Sequence, residues 1–197
     1  LQAFKESLRE SDIATDTEKA NEQHYELPAA FFQRILGPHL KYSSAYWPEE
    51  CENLADAEHA SLEQVAERAQ LEDGQIVLDM GCGWGSFSLW AAEKYRSSQF
   101  LAVSNSNTQR AFIEEQARSR GILNLKVVTC DINEFQPGKS FDRIVSIEML
   151  KHARNYDQLF ERVASWLEPE GKFFAHVFSH RKYSYPYKTD DPSEWMA

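Results

Sequence analysis

The sequence has little cysteine, no long apolar run and few positive charges relative to its negative ones. Its three cysteines, Cys51, Cys82 and Cys130, are irregularly spaced, which argues against a disulfide framework and against a zinc site. No apolar run reaches the roughly 18 residues that a membrane-spanning helix needs. The low cysteine count favours the cytoplasm as the compartment, and no metal is expected.

The charge balance narrows the class of partner. The chain carries 31 acidic and 21 basic residues, a net charge of −10. Such a surface disfavours binding to a phosphate backbone, so nucleic acid is not expected as a partner. It favours a cationic small molecule through long-range steering, although the charge can equally serve solubility alone.

From residue 76 onwards the sequence alternates between strand and helix patterns. This rhythm is typical of right-handed crossovers, and it predicts an α/β fold with a mainly parallel, Rossmann-like sheet and helices on both faces. Residues 1–70 are predicted to form a helical extension that covers the ligand site, and residues 71–197 the core. The predicted strands are 76–81, 100–104, 125–130, 141–147 and 172–178, and the predicted helices are 28–36, one capped by Asn53, 86–95, 108–120 and 156–167.

A glycine-rich loop follows the first predicted strand. Asp79 precedes three glycines at alternate positions in DMGCGWG, of which Gly81 and Gly83 are the candidate binding positions. Glycine lets the backbone approach a ligand closely, and a strand before the loop with a helix after it is the context of a cofactor site. The G-x-G-x-G spacing disfavours a dinucleotide. A plain tight turn is the structural alternative.

The next two strand ends carry polar residues suited to an adenosine. Asn105 can both donate to and accept from a ribose hydroxyl, and Gln109 lies one helical turn further on. Asp131 can accept from an exocyclic amine while Ile132 covers the face of a ring. The alternatives are that Asn105 caps the following helix and that Asp131 caps a turn.

The fourth strand end carries a carboxylate and an imidazole. Glu148 and His152 are four residues apart, so in a helical turn they would share one face. Together they can provide general-base catalysis at a ligand-binding edge. A structural ion pair is the alternative.

Several separated segments resemble one known group of enzymes. The resemblance is to the cyclopropane-fatty-acid synthase and coclaurine N-methyltransferase superfamily, over residue 21 to the end of the chain. VSNSNTQ, VSIEM with a following histidine, and DDPSEWMA are closer to its coclaurine-type branch. The matching segments are NEQHYELPAAFF, LKYSSAYWPE, VLDMGCGWGS, VSNSNTQ, FDRIVSIEM and GKFFAHVFSH.

The resemblance implies a class I methyltransferase fold with S-adenosyl-L-methionine as the cofactor. It also implies that the family's last strands are missing from this chain, and it leaves the oligomeric state open, a homodimer included. The implied cofactor contacts are Tyr42 and Ser43 at the methionine end, Gly81 and Gly83 in the loop, Asn105 and Gln109 at the ribose, Asp131 and Ile132 at the adenine, and Ile147 in the pocket wall.

The implied catalytic residues are Glu148 and His152, which would position a substrate amine and take up its proton. Two positions depart from the family pattern. Ser44 stands where the lipid-modifying enzymes carry cysteine, and Lys151 stands where both branches carry a glutamate that helps to hold a bicarbonate base. Since His176 alone matches that bicarbonate set, a bicarbonate base is not expected.

The reaction implied is N-methylation of a small, alkaloid-like amine. A lipid-modifying methyltransferase acting on unsaturated acyl chains is a second hypothesis, and Glu148 argues against it because lipid enzymes tend to carry glycine there. A cofactor-binding module without catalysis is a third, motivated by Lys151.

Overall fold

Helices come first along the chain, and strands alternate with helices afterwards. The computed structural model describes residues 2–15 and 28–180. Four aromatic residues near the end of the sequence could line a cation-binding pocket, but they lie outside those residues, as does the DDPSEWMA segment. They are Tyr183, Tyr185, Tyr187 and Trp195. The elements are α1 (Gln2–Arg9), α2 (Ala29–Ile35), α3 (Leu54–Ala69), β1 (Ile76–Met80), α4 (Ser86–Lys94), β2 (Gln99–Ser104), α5 (Asn107–Ser119), β3 (Leu125–Thr129), β4 (Phe141–Ile147), a short 3-10 helix (Leu150–His152), α6 (Tyr156–Trp166) and β5 (Leu167–His176).

The five strands form one parallel sheet, as the alternating pattern predicts. The strand order is β3-β2-β1-β4-β5, so β1 is central and both of its neighbours are hydrogen-bonded to it. Leu78 of β1 pairs with Leu101 on one side and with Ile144 on the other. A central strand buried on both faces accounts for the unbroken apolar run of IVL at its start.

Successive residues of β1 point to opposite faces, and each face carries helices. Val77 packs in a cluster with Val65 of α3 and Trp90 of α4, whereas Leu78 packs with Leu159 of α6. The prediction of helices on both faces is therefore confirmed. The division at residue 70 falls in the turn between α3 and β1 and stays a prediction.

Two helix starts show how local side chains set the edges of the site. Asn53 caps α3, as predicted, since its side-chain oxygen accepts from the Asp56 amide at 3.1 Å. The cap of α5 is Ser106, whose hydroxyl accepts from the Gln109 amide at 3.3 Å. The capping role considered for Asn105 is thus taken by its neighbour.

The last strand begins earlier than predicted. Leu167, assigned to the helix by its apolar spacing, pairs with Phe141, and Lys172 pairs with Arg143. Between these two pairs, the single residue Asp142 of β4 lies opposite residues 168–171 of β5, and this irregularity accommodates Pro169, which has no amide proton for the ladder.

The segment before the first undescribed stretch is tied to the carboxyl edge of the sheet. The buried Asn155 side chain donates to the carbonyls of Arg9 at 2.8 Å and Ser11 at 2.9 Å, and the Arg154 amide donates to Ile13. Ile13 is fully buried as a result. None of the helices in these two ranges has the length and apolar character needed to cross a bilayer.

Candidate functional site

One cavity of about 190 Å³ opens at the carboxyl ends of the strands, where a parallel sheet binds its ligands. Every site residue predicted from the sequence lines it, although their individual roles stay predictions. These residues are Tyr42, Ser43, Asp79, Gly81, Gly83, Asn105, Gln109, Asp131, Ile132, Ile147, Glu148 and His152.

The floor of the cavity is the glycine-rich loop after β1. Gly81 has a φ of +91°, and a Cβ added there would lie 2.5 Å from Cβ of Met149. Gly83 has a φ of +53° and would point its Cβ into open space. The amides of Gly81 and Cys82 both donate to the Val103 carbonyl, at 3.1 and 2.9 Å, which fixes the loop against β2. This loop requires glycine for both backbone conformation and space.

Asp79 is a buried carboxyl group at the end of β1. It is 1% exposed, and the Ser88 hydroxyl donates to its Oδ2 at 2.5 Å. Burial raises the pKa of Asp79 to about 7, against the opposing effect of the Ser88 hydrogen bonds. The carboxyl group therefore gains or loses its proton near neutral pH, and a small change in its surroundings shifts that balance.

Two side chains beside the cavity, Gln109 and Trp84, each have a buried N–H donor with no partner within residues 2–15 and 28–180. Gln109 accepts a hydrogen bond from the Ser104 hydroxyl at 2.6 Å through Oε1, while its Nε2 is buried and unpaired. The indole Nε1 of Trp84 is likewise buried and unpaired. Because buried donors are normally satisfied, both indicate a site that a polar ligand completes.

Asp131 caps a turn and also lines the cavity, and its contact with an adenine stays a prediction. Its Oδ1 accepts from the Asn133 amide at 2.8 Å, which is the turn-capping arrangement. The same residue also lines the cavity together with Ile132.

The geometry predicted for Glu148 and His152 is wrong, although both residues reach the cavity. Glu148 has a φ of +61°, and its amide donates to the His176 carbonyl at 2.7 Å. The helical turn begins only at Leu150, so Glu148 and His152 do not share a helical face. A left-handed backbone at a non-glycine residue is strained, and such residues cluster at functional sites.

Two basic side chains lie near the Glu148 carboxylate, which is 15% exposed. Lys151 Nζ lies 3.7 Å from Oε2 and His176 Nε2 lies 3.9 Å from Oε1. Lys151 is thus an exposed ion-pair partner of Glu148 at the rim of the cavity. Both contacts are looser than a direct charged hydrogen bond, which leaves the carboxylate able to accept from a ligand.

Lys41, for which the sequence predicts no role, lines the cavity beside Tyr42 and Ser43. Lys41 is 5% exposed, and its ammonium group donates to Ser43 Oγ and to the Ser44 carbonyl, both at 2.8 Å. Burial lowers the pKa of Lys41, and the charges of Glu148 and Glu58 oppose that shift. The only local signal is a lysine between apolar Leu40 and the Tyr-Ser pair.

The residues present fit an adenosyl cofactor with a charged amino acid end. The glycine-rich loop leaves space next to its backbone, and Gln109 Nε2 is a buried donor that can donate to a ligand oxygen. Asp79 supplies an ionisable carboxyl group at the loop, where it can face an ammonium group.

Comparison with known proteins identifies the family of the chain. The family described as Mycolic acid cyclopropane synthetase matches residues 13–197. The chain is 38% identical to (S)-coclaurine N-methyltransferase of Thalictrum flavum subsp. glaucum, over 97% of this chain and 53% of that protein. It is 36% identical to cyclopropane-fatty-acyl-phospholipid synthase of Escherichia coli (strain K12), over 81% of this chain and 41% of that protein.

A solved structure is similar along nearly the whole chain. Coclaurine N-methyltransferase bound to N-methylheliamine and SAH superposes with a TM-score of 0.93 and 38% identity, covering 98% of this chain and 56% of that one. The chain spans about half the length of the curated relatives it matches. The family match takes in most of the chain and agrees with both relatives, so the chain has the class I methyltransferase fold and belongs to the mycolic acid cyclopropane synthetase family.

Proposed function

We propose that the protein transfers a methyl group from S-adenosyl-L-methionine to the nitrogen of a small, alkaloid-like amine. The observation that carries the proposal is the presence of Glu148 and the glycine-rich loop in one cavity. The similarity to coclaurine N-methyltransferase, whose solved structure holds N-methylheliamine and SAH, supports it.

In this proposal the chain's own residues hold the cofactor along the strand ends. The backbone at Gly81 and Gly83 lies against it, Gln109 Nε2 donates to a ribose oxygen, and Asp79 faces its ammonium group. The cofactor supplies a methyl group made electrophilic by its sulfonium. Further contacts come from Tyr42 and Ser43, Asn105, Asp131 and Ile132, and Ile147, which all line the cavity.

Glu148 and His152 act on the amine. A nitrogen attacks only in its neutral form, and Glu148 accepts a hydrogen bond from it and orients its lone pair. Imidazole accepts protons near neutral pH, so His152 takes the proton that the methylated amine releases. Holding both reactants in line contributes several kcal/mol to the rate.

A lipid substrate fits the cavity less well. An acyl chain would lie against a carboxylate with Lys151 and His176 within 4 Å of it. Burying such charges against hydrocarbon is unfavourable.

We further propose a cytoplasmic enzyme on the basis of its few cysteines, and we expect a homodimer to be the oligomer worth testing first.

The proposal is tested by methyl transfer from labelled cofactor. The purified protein is incubated with a panel of tetrahydroisoquinoline-type amines and, separately, with phospholipid vesicles that contain unsaturated acyl chains. We expect label in the amine products only. Label in the lipid fraction would favour the lipid hypothesis, and tight cofactor binding without turnover on any acceptor would favour the non-catalytic one.

We expect binding of S-adenosylhomocysteine, the reaction product, to release a proton from Asp79. With a pKa of about 7, the free carboxyl group is mostly protonated near pH 6, and an ammonium group beside it favours ionisation. Calorimetry in two buffers of different ionisation enthalpy should therefore give close to one proton released at about pH 6 and almost none at about pH 8.

Two variants are controls for this linkage. Asp79→Asn should abolish the proton release. Ser88→Ala should move its midpoint to higher pH, because the variant loses the hydroxyl hydrogen bond that lowers the pKa of Asp79 and keeps only the one from the backbone amide. In the ligand-free protein the folded state keeps a proton that the unfolded state loses. The free energy of unfolding should therefore fall as the pH rises from about 4 to about 7. Unchanged proton release in Asp79→Asn would contradict the assignment.

A further inference from the structure

Glu58 is a buried carboxylate that no part of the proposed mechanism uses. It lies on α3 and is 1% exposed. Its Oε1 accepts from the amides of Gly37 at 3.0 Å and Lys41 at 3.1 Å, and its Oε2 accepts from the amide of His39 at 2.8 Å. A buried carboxylate is therefore satisfied by three backbone donors of one loop.

That loop has the space to approach the carboxylate only because of a glycine. A Cβ added at Gly37 would lie 2.5 Å from Glu58 Oε2. Ser61, one turn further along α3, accepts from the Tyr46 amide at 2.6 Å. The same face of α3 therefore holds the chain before and after Tyr42.

Lys41 adds an anchor inside the loop. Its amide is held by Glu58, and its ammonium group donates to Ser43 Oγ and the Ser44 carbonyl. Residues 40–43 all line the cavity. The contacts of Glu58 and Lys41 thus hold one wall of the cavity in place. All of these contacts are made within the protein, so they form without a bound ligand.

The packing of α3 separates this role from the stability of the core. Leu62, Val65 and Ala66 carry the apolar contacts of α3 with β1 and α4, whereas the hydrogen bonds of Glu58 all go to the loop. A variant at Val65 therefore perturbs the same helix without touching the loop.

We propose that Glu58 is a positioning residue that holds residues 37–43 in their binding geometry before the cofactor arrives, and so sets the affinity for it. The identity of the ligand rests on the proposed function, but the positioning of the loop does not. Preorganisation raises affinity because no binding energy goes into ordering the loop.

The first test is amide hydrogen exchange in the ligand-free protein. Glu58→Ala should lose protection at Gly37, His39 and Lys41, whereas Val65→Ala should lose it mainly in the core. Glu58→Gln keeps one oxygen, which can still accept from Gly37 and Lys41, so His39 alone should lose protection. Equal protection of His39 in the wild type and in Glu58→Gln would overturn the proposal, and this comparison also decides the matter if Glu58→Ala does not fold.

The second test is calorimetric binding of S-adenosylhomocysteine at a temperature where all variants are folded. We expect about 10- to 100-fold weaker binding for Glu58→Ala, an intermediate loss for Glu58→Gln, and a change of less than about twofold for Val65→Ala. With saturating cofactor, kcat should stay within about threefold of the wild type while the KM for cofactor rises. Equal losses in Glu58→Ala and Val65→Ala would overturn the positioning role. Absence of binding by the wild type would instead overturn the proposed function, and the exchange experiment would still decide on the loop.

Discussion

Replacing Glu148 with alanine is expected to lower kcat for amine methylation by about 100-fold or more, which is the range that a positioned acid or base contributes. The carboxylate lies in the cavity, with loose contacts to Lys151 and His176 that leave it able to accept from an amine. Binding of S-adenosylhomocysteine should change little, because Glu148 is assigned to the substrate. Single-turnover kinetics with saturating cofactor measure the effect on the transfer step.

The controls separate chemistry from backbone strain. Because Glu148 has a φ of +61°, alanine keeps the strain and glycine removes it. Glu148→Gly should therefore be more stable than Glu148→Ala by roughly 1 kcal/mol in thermal unfolding, while both variants show a similar loss in kcat. Lys151→Met keeps the carboxylate and should retain most of the activity. Full activity in both Glu148→Ala and His152→Ala would remove these two residues from the mechanism.

Replacing Gly81 with alanine is expected to abolish cofactor binding and to lower the free energy of unfolding by about 2–5 kcal/mol. Two effects add: a φ of +91° that an L side chain rarely adopts, and a Cβ only 2.5 Å from Cβ of Met149. Either the glycine loop or the segment that carries Glu148 must move. Calorimetry with S-adenosylhomocysteine and thermal unfolding followed by circular dichroism measure the two losses.

Gly138→Ala is the matched control for this variant. Gly138 has a φ of +68° with no atom within 4 Å of an added Cβ, so only the backbone effect applies, of roughly 1 kcal/mol. Adding Met149→Gly to Gly81→Ala removes the colliding atoms and should restore part of the lost stability. Equal stability of Gly81→Ala and Gly138→Ala would show that the contact with Met149 relaxes without a penalty.

The strands of the core could be predicted closely because apolar runs and glycine stops are local signals. β4 was predicted with its observed bounds, and β1 within one residue of them. The start of β5 could not be, because the apolar spacing of α6 continues into Leu167 while the pairing of Leu167 with Phe141 depends on a distant strand. Local periodicity does not report such pairing.

The same distinction holds for the site. Residues at strand ends gather at one edge whatever the side-chain details, so Asn105, Asp131 and Ile147 could be located from topology alone. The contact between Glu58 and the Lys41 amide joins residues 17 apart in the chain and has no sequence signature. The backbone conformation of Glu148 was likewise hidden, since nothing in the spacing to His152 distinguishes a helical turn from a left-handed residue followed by a 3-10 helix.

The strand order has a consequence for how the protein folds. Val77 pairs with Phe100, 23 residues away, but also with Arg143, 66 residues away (143 − 77). Closing the larger loop is entropically less favourable by about 1 kcal/mol, so β1, β2 and β3 are expected to associate before β4 joins them. The cavity lies across the junction of β1 and β4, so it forms only when β4 pairs with β1, which is the slowest step. A ligand of this cavity would stabilise the completed sheet and leave its earlier, three-stranded precursor unaffected.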